Sequence, residues 1–144
     1  MAFLVGLALA IAVSVSATFI GFDRDRAFYP VVTVVVASYY DLFAVMAGSA
    51  QTLSLETVAF SAFALVSVVG FRTNLWLVVG ALAGHGVFDV VHSRLISNLG
   101  VPEWWPMFCS SYDIAAAAYL AWLLSRQVLA AKAGFEPQLD GRIL

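Results

Sequence analysis

Hydrophobic residues fill most of this chain in five long runs, and short polar stretches separate the runs from one another. Each run has about the 20 residues that an α-helix needs to cross the hydrocarbon core of a bilayer. The pattern therefore predicts an all-α protein with five transmembrane helices. We expect these helices at residues 2–22, 29–48, 54–71, 75–98 and 107–129. Residues 1–131 would thus form one transmembrane domain, followed by a polar tail at residues 132–144.

The polar stretches contain signals for the ends of the helices. Residues 23–26 form a charged turn, and Pro30 suits the first turn of the second helix, where its missing N–H costs little. Asn74 is a good N-cap for the fourth helix. Trp104 and Trp105 lie in the loop before the fifth helix, as expected for residues at the level of the lipid headgroups. These signals place the loops at the two surfaces of the membrane.

The composition supports a membrane protein and excludes some other classes. Hydrophobic residues make up 62% of the chain and charged residues 11%, and the mean hydropathy is +0.94. A chain with so few polar groups could not cover its surface in water, so its partner is the lipid bilayer. The net charge of −2 and the lack of a basic run give no reason to expect a nucleic-acid partner. Cys109 is the single cysteine, which excludes an intrachain disulfide.

The basic residues predict the orientation of the five helices. The loops after the first and third helices and the C-terminus share one side of the membrane, and that side holds six of the seven basic residues. They are Arg24, Arg26, Arg72, Arg126, Lys132 and Arg142. Arg94 is the exception and belongs to the opposite side. Because positive charge favours the cytoplasmic side, we expect a multi-pass protein of the cell (inner) membrane, with its N-terminus outside and its C-terminus in the cytoplasm.

The fourth hydrophobic run carries the most informative polar residues. His85, Asp89 and His92 share one narrow helical face, since successive residues rotate by about 100°. Each ionisable group near the centre of a bilayer costs roughly 2.5–3.5 kcal/mol, so this face must look into protein or water. The spacing is similar to the i, i+4 and i, i+3 ligand pairs of metal-binding helices. We expect these three residues to bind a divalent metal, Zn²⁺ or alternatively Fe or Mn.

Acidic residues on two other helices reach a similar depth. At about 1.5 Å per residue, Asp41 on the second helix and Asp113 on the fifth lie near the level of Asp89, in the outer half of the membrane. We therefore expect the second, fourth and fifth helices to line a polar pocket that opens outward. Glu56 is expected to be a solvated residue in the first turn of its helix. Cys109 is expected to be a small apolar filler.

These residues lead to a hypothesis about function. We expect a metal-dependent membrane enzyme, a hydrolase that acts on a lipid or a small amphiphile. Asp41 or Asp113 would complete the ligand set and the other would act as general base toward water, while His85 would be a ligand or a proton carrier. Carboxylate and histidine chains also serve as relays, so an ion- or proton-coupled transport or binding protein is an alternative. A structural subunit, in which the polar cluster only fixes helix packing, is a third.

Small residues predict close helix packing. Gly80 and Gly84 form a G-x-x-x-G pattern on the fourth helix, and residues 115–118 are four alanines on the fifth. Both allow two helix backbones to approach closely in lipid. We expect this packing to occur within the chain, with a homodimer as the alternative.

Four stretches carry a resemblance to known proteins: residues 23–30 (DRDRAFYP), 37–40 (ASYY), 84–89 (GHGVFD) and 101–106 (VPEWWP). Together they resemble a family of small bacterial integral membrane proteins of unknown function, which implies no activity. A partial similarity is to membrane metal hydrolases of the alkaline ceramidase kind, which combine His and Asp ligands inside a helical bundle. This chain differs from them in having five predicted helices instead of seven and no third histidine.

Overall fold

The structure is a computed structural model that describes the backbone of residues 1–132 and the side chains of residues 1–126. Five long α-helices make up nearly all of it: α1 (Ala2–Ile20), α2 (Phe28–Met46), α3 (Ala50–Arg72), α4 (Trp76–Leu95) and α5 (Trp105–Lys132). A short 3-10 helix, Phe22–Arg24, lies between α1 and α2. The tail predicted at residues 132–144 lies outside the described residues, except for Lys132 at the end of α5.

All five helices are long and apolar enough to cross a membrane, which confirms the prediction of a multi-pass, all-α membrane protein. The observed bounds of all five helices differ from the predicted ones by one to four residues at one or both ends, and two of these differences affect the polar residues discussed below. The third helix begins at Ala50, because the Ser49 side chain accepts a hydrogen bond from the N–H of Thr52 and caps the helix there. The fourth ends at Leu95, so that residues 96–104 form the loop to α5.

The helices form a bundle in which α5 holds a central place. It packs extensively against both α1 and α4, while α2 packs on α3 and α3 on α4. In the described part of the chain, the backbone of α1 does not come close to that of α2, α3 or α4. The apolar core lies where α4 and α5 meet, at Val78, Leu82, Ala116, Ala117 and Leu120. Two residues of the alanine run on the fifth helix, Ala116 and Ala117, thus belong to the core.

Glycines bring α5 close to its two neighbours. A Cβ atom at Gly6 of α1 would overlap the carbonyl oxygen of Phe108 and the hydroxyl of Ser111. A Cβ at Gly86 of α4 would lie 3.1 Å from the carbonyl oxygen of Ser110. Gly80, by contrast, faces open space, so the predicted G-x-x-x-G pattern is not what brings α4 to its partners within the chain.

One end of the bundle is tied together by Arg26. Its guanidinium donates hydrogen bonds to the carbonyl oxygens of Phe71 at 3.1 Å and Thr73 at 3.3 Å, at the end of α3. The free carbonyls at a helix C-terminus are favourable partners for a cation. The α1–α2 and α3–α4 connections therefore lie side by side, and we call this end of the bundle the arginine end. The loop 96–104 lies at the other end, which we call the tryptophan end.

Candidate metal centre

Four metal-ligating side chains meet in the core, two from α4 and two from α5. They are His85, Asp89, Cys109 and Asp113, and all four are buried. One ligand atom from each lies within 4.8 Å of every other, so this cluster could hold a metal ion. Each helix contributes two residues at positions i and i+4, which lie on the same face of the helix and one turn apart. We call these four residues the core cluster.

Hydrogen bonds fix the acidic groups of the core cluster. Nδ1 of His85 lies 2.6 Å from Oδ2 of Asp113, at hydrogen-bonding distance, and 3.6 Å from Oδ2 of Asp89. The Tyr40 hydroxyl on α2 donates to Oδ1 of Asp89 at 2.7 Å. Among the residues described, Oδ2 of Asp89 and Oδ1 of Asp113 are buried without a hydrogen-bond partner. Buried carboxylate oxygens without partners are costly, and a bound cation would satisfy both.

His92 lies in a second cluster, next to the first. Its Nε2 atom is 2.8 Å from Oε1 of Glu56 on α3, and the same oxygen accepts a hydrogen bond of 2.9 Å from the Asn98 amide. The His92 ring also stacks on the ring of Tyr40, with their centroids 3.9 Å apart. We call Glu56, His92 and Asn98 the outer cluster, since it lies nearer the tryptophan end.

The structure does not bring His92 to the other predicted ligands on α4. His85 and His92 point in nearly the same direction, but seven residues separate them along the helix by roughly 10 Å. A single ion with ligands about 2 Å away cannot bridge that distance. Sequence reasoning predicted the shared face and overlooked this axial separation. His85 and Asp89, one turn apart, are brought together as predicted.

Asp41 also lies apart from the core cluster. It is half-buried, and its Oδ1 accepts a hydrogen bond of 2.9 Å from the Thr57 hydroxyl on α3. The reason is the helical rotation of about 100° per residue, which turns Asp41 away when its neighbour Tyr40 faces α4. Of the two carboxylates predicted to join α4, Asp113 is the one that does so.

Two functional candidates were expected to have other roles. Glu56 was predicted to be solvated, yet its exposed fraction is 1%. The early start of α3 places it in the second turn of the helix, where it faces α4. The Ser49 cap was the signal that could have revealed this. Cys109 was predicted to be a filler, and its spacing of four residues from Asp113 was the signal for a shared face.

Asn98 reaches the outer cluster because the loop that carries it folds tightly over α2. The Asn98 amide donates to the carbonyl of Tyr40 at 3.1 Å as well as to Glu56. Gly100 allows this close approach, since a Cβ there would overlap the carbonyl of Phe43. A cavity of about 370 Å³ adjoins this loop, and its lining residues include His92, Asn98 and Glu103.

The two clusters form a continuous polar column from this cavity to the middle of the bundle. Tyr40 joins them, since it stacks on His92 and donates to Asp89. Chemically, such a column can hold a cation at the core cluster and carry exchangeable protons on both histidines. Comparison of the chain with models of protein families, with curated proteins and with solved structures finds no match.

Proposed function

We propose that this protein is a metal-dependent membrane enzyme, a hydrolase that acts on a lipid or a small amphiphile. The observation that carries the proposal is the core cluster, with its two unpartnered carboxylate oxygens. One imidazole, one thiol and two carboxylates suit Zn²⁺ or Fe²⁺, and the thiol makes Mn²⁺ a weaker candidate. His85, Asp89 and Cys109 would supply three ligands, the number that leaves catalytic metal sites an open position.

A divalent ion bound there would act as a Lewis acid and lower the pKa of water to about 7. Asp113 lies beside the proposed ligands, and its Oδ1 has no hydrogen-bond partner in the described part of the chain. Asp113 would accept a proton from that water at Oδ1. The water oxygen would bond to the acyl carbon or phosphorus of the substrate as the bond to the leaving atom breaks, and Asp113 would return its proton to the leaving atom. Tyr40 keeps Asp89 in place through Oδ1.

Metal removal tests this function directly. The protein purified in detergent should contain about one Zn or Fe ion per chain and should hydrolyse a component of a bacterial lipid extract, as followed by mass spectrometry. Extraction with a chelator should abolish hydrolysis, because water is then no longer activated, and the same metal should restore it. Protein that carries no stoichiometric metal, or that hydrolyses equally well without it, would contradict the proposal.

The polar column favours proton-coupled transport as a second candidate. Its buried acids and histidines begin beside the cavity next to loop 96–104 and continue to His85 near the middle of α4. Within the described residues, however, no buried acid or histidine lies between His85 and the arginine end. Buried titratable groups that are confined to one half of the bundle suit an enzyme better than a path across the membrane. Substrate-dependent proton flux in liposomes, without hydrolysis, would favour transport.

For the orientation, we propose that the tryptophan end faces outward, in the cell (inner) membrane. Arg24, Arg26, Arg72 and Arg126 belong to the arginine end, and Arg94 belongs to the other. This distribution supports an arginine end in the cytoplasm, by the positive-inside rule. The core cluster would then open to the outer leaflet.

Reporter fusions test this orientation. Alkaline phosphatase, active only outside the cytoplasm, should be inactive when fused after Leu144 and active when inserted in the loop 96–104. Green fluorescent protein does not fluoresce when it is exported through the general secretory route. It should therefore be fluorescent when fused after Leu144 and non-fluorescent when inserted in the loop 96–104. Phosphatase activity at Leu144 would invert the orientation and move the opening of the site to the cytoplasmic leaflet.

A further inference from the structure

A long groove separates α1 from α2 on the outside of the bundle. The backbones of the two helices do not approach each other closely in the described part of the chain, and α5 forms the floor between them. The groove has a volume of about 1010 Å³. Its walls are apolar, with lining residues that include Val5, Leu9, Val13, Phe28, Val32 and Phe108. Leu9 is 44% exposed, so the groove opens sideways toward the bilayer.

The groove runs along the height of the bundle and reaches the core cluster. Its lining extends from Met1 and Trp104 at the tryptophan end to Phe22 near the arginine end, which is roughly 30 Å at the rise of an α-helix. Cys109 belongs both to this lining and to the core cluster. A molecule in the groove would thus lie against one of the proposed ligands.

The side chains that line the groove suit a flexible hydrocarbon chain better than another helix. Helices associate in lipid where small residues let their backbones approach. The small residues of α1 already face inward: Gly6, Ala10, Ser14 and Ala17 are all buried, and Gly6 lies against α5. The groove is lined instead by branched and aromatic side chains, which leave an irregular apolar channel. Its volume is at the upper end of the range of about 300–1,000 Å³ typical of ligand pockets.

The tryptophan end of the groove offers polar groups for the other end of an amphiphile. Tyr39 and Tyr112 line it, and so does Trp105, whose buried indole N–H has no acceptor among the described residues. Such donors bind ester, amide or phosphate oxygens near the headgroup level, where tryptophan and tyrosine are enriched.

We propose that the groove binds one long hydrocarbon chain of a membrane lipid and holds the lipid's headgroup linkage beside Cys109. The substrate of the proposed hydrolase would then be a long-chain lipid rather than a short amphiphile. The identification of the substrate rests on the proposed function, whereas the binding of a hydrocarbon chain in the groove does not.

Photolabelling in vesicles tests the groove. The full chain is reconstituted into vesicles of phosphatidylethanolamine and phosphatidylglycerol, with a trace of phosphatidylglycerol that carries a diazirine in its palmitoyl chain. Labels should concentrate on the groove walls of α1 and α2. Leu9→Trp, and separately Val31→Trp on the opposite wall, should reduce this labelling by about tenfold, because a filled pocket no longer admits the chain. Val58→Trp, a matched change on an exposed face of α3, should leave it unchanged.

Metal content, measured on the same samples, separates this inference from the proposed function. Groove labelling that Leu9→Trp suppresses supports the chain-binding site even if no metal is found. Labels spread evenly over all lipid-facing helices would overturn it even if the metal is present. Crosslinks between two protein chains through α1 and α2, formed by a bifunctional reagent in the same vesicles, would also overturn it, since a second copy would then fill the groove.

Discussion

Asp89→Asn is expected to lose the bound metal while the protein still folds and inserts into the membrane. Asparagine keeps the shape and can still accept the hydrogen bond from Tyr40 at Oδ1, but it removes the charge that Oδ2 offers to a cation. Loss of a group that merely orients a metal ligand weakens binding by about 10–100-fold, so loss of a ligand should cost at least about 100-fold. Elemental analysis after dialysis measures the metal, and circular dichroism checks the helical content.

Two control variants distinguish the core cluster from its surroundings. Asp41→Asn removes a carboxylate that lies outside the cluster and bonds Thr57, so its metal content should equal that of the unmodified protein. His92→Gln removes the histidine that pairs with Glu56, and it too should keep the metal. If His92→Gln loses the metal and Asp89→Asn retains it, the outer cluster is the binding site. If Asp89→Asn keeps both metal and hydrolysis, the core cluster only fixes helix packing.

Gly6→Leu is expected to produce the largest loss of stability. Its Cβ would overlap the backbone carbonyl of Phe108, which cannot rotate out of the way as a side chain could. Overpacking typically costs 1–3 kcal/mol, and we expect about 3 kcal/mol here because α1 must move away from α5. The melting temperature in detergent should fall by roughly 10 °C. Thermal unfolding followed by circular dichroism measures this change.

The matched control is Gly80→Leu on α4. A Cβ at Gly80 meets nothing within 4 Å, so the same substitution should change the free energy of unfolding by no more than about 0.5 kcal/mol. Equal destabilisation by the two variants would mean that Gly80 also packs against a helix, as in a dimer. A Gly6→Leu protein as stable as the unmodified one would mean that α1 does not depend on its close approach to α5.

The five helices and three of the four core-cluster residues, His85, Asp89 and Asp113, could be predicted from the sequence. Hydropathy determines the spans, because the bilayer requires a fixed length of apolar helix. Helical rotation determines that His85 and Asp89 share a face, since that is a property of α4 alone. Neither depends on which helix packs beside which.

The rest of the site depends on relations between helices, which local patterns do not specify. Cys109 joins the cluster only because Gly86 lets α4 approach α5. Glu56 meets His92 because α3 starts at Ala50, four residues before the predicted start, which places Glu56 about 6 Å further from the end of the helix, and because α3 packs on α4. Asn98 reaches the Glu56 carboxylate because it lies in the loop 96–104, whereas the hydropathy pattern predicts residues 96–98 as part of the fourth helix.

The pairing of the first helix with the last has a consequence for biosynthesis. Thr18 lies 3.0 Å from the hydroxyl of Tyr119, a contact between residues 101 positions apart in the chain. Because chains emerge N-terminus first, α1 enters the membrane long before its neighbour exists. The last helix to arrive also brings Cys109 and Asp113. The contact of α1 with α5 beside the groove and the core cluster are therefore completed in the same final step, so a nascent chain arrested before α5 has neither.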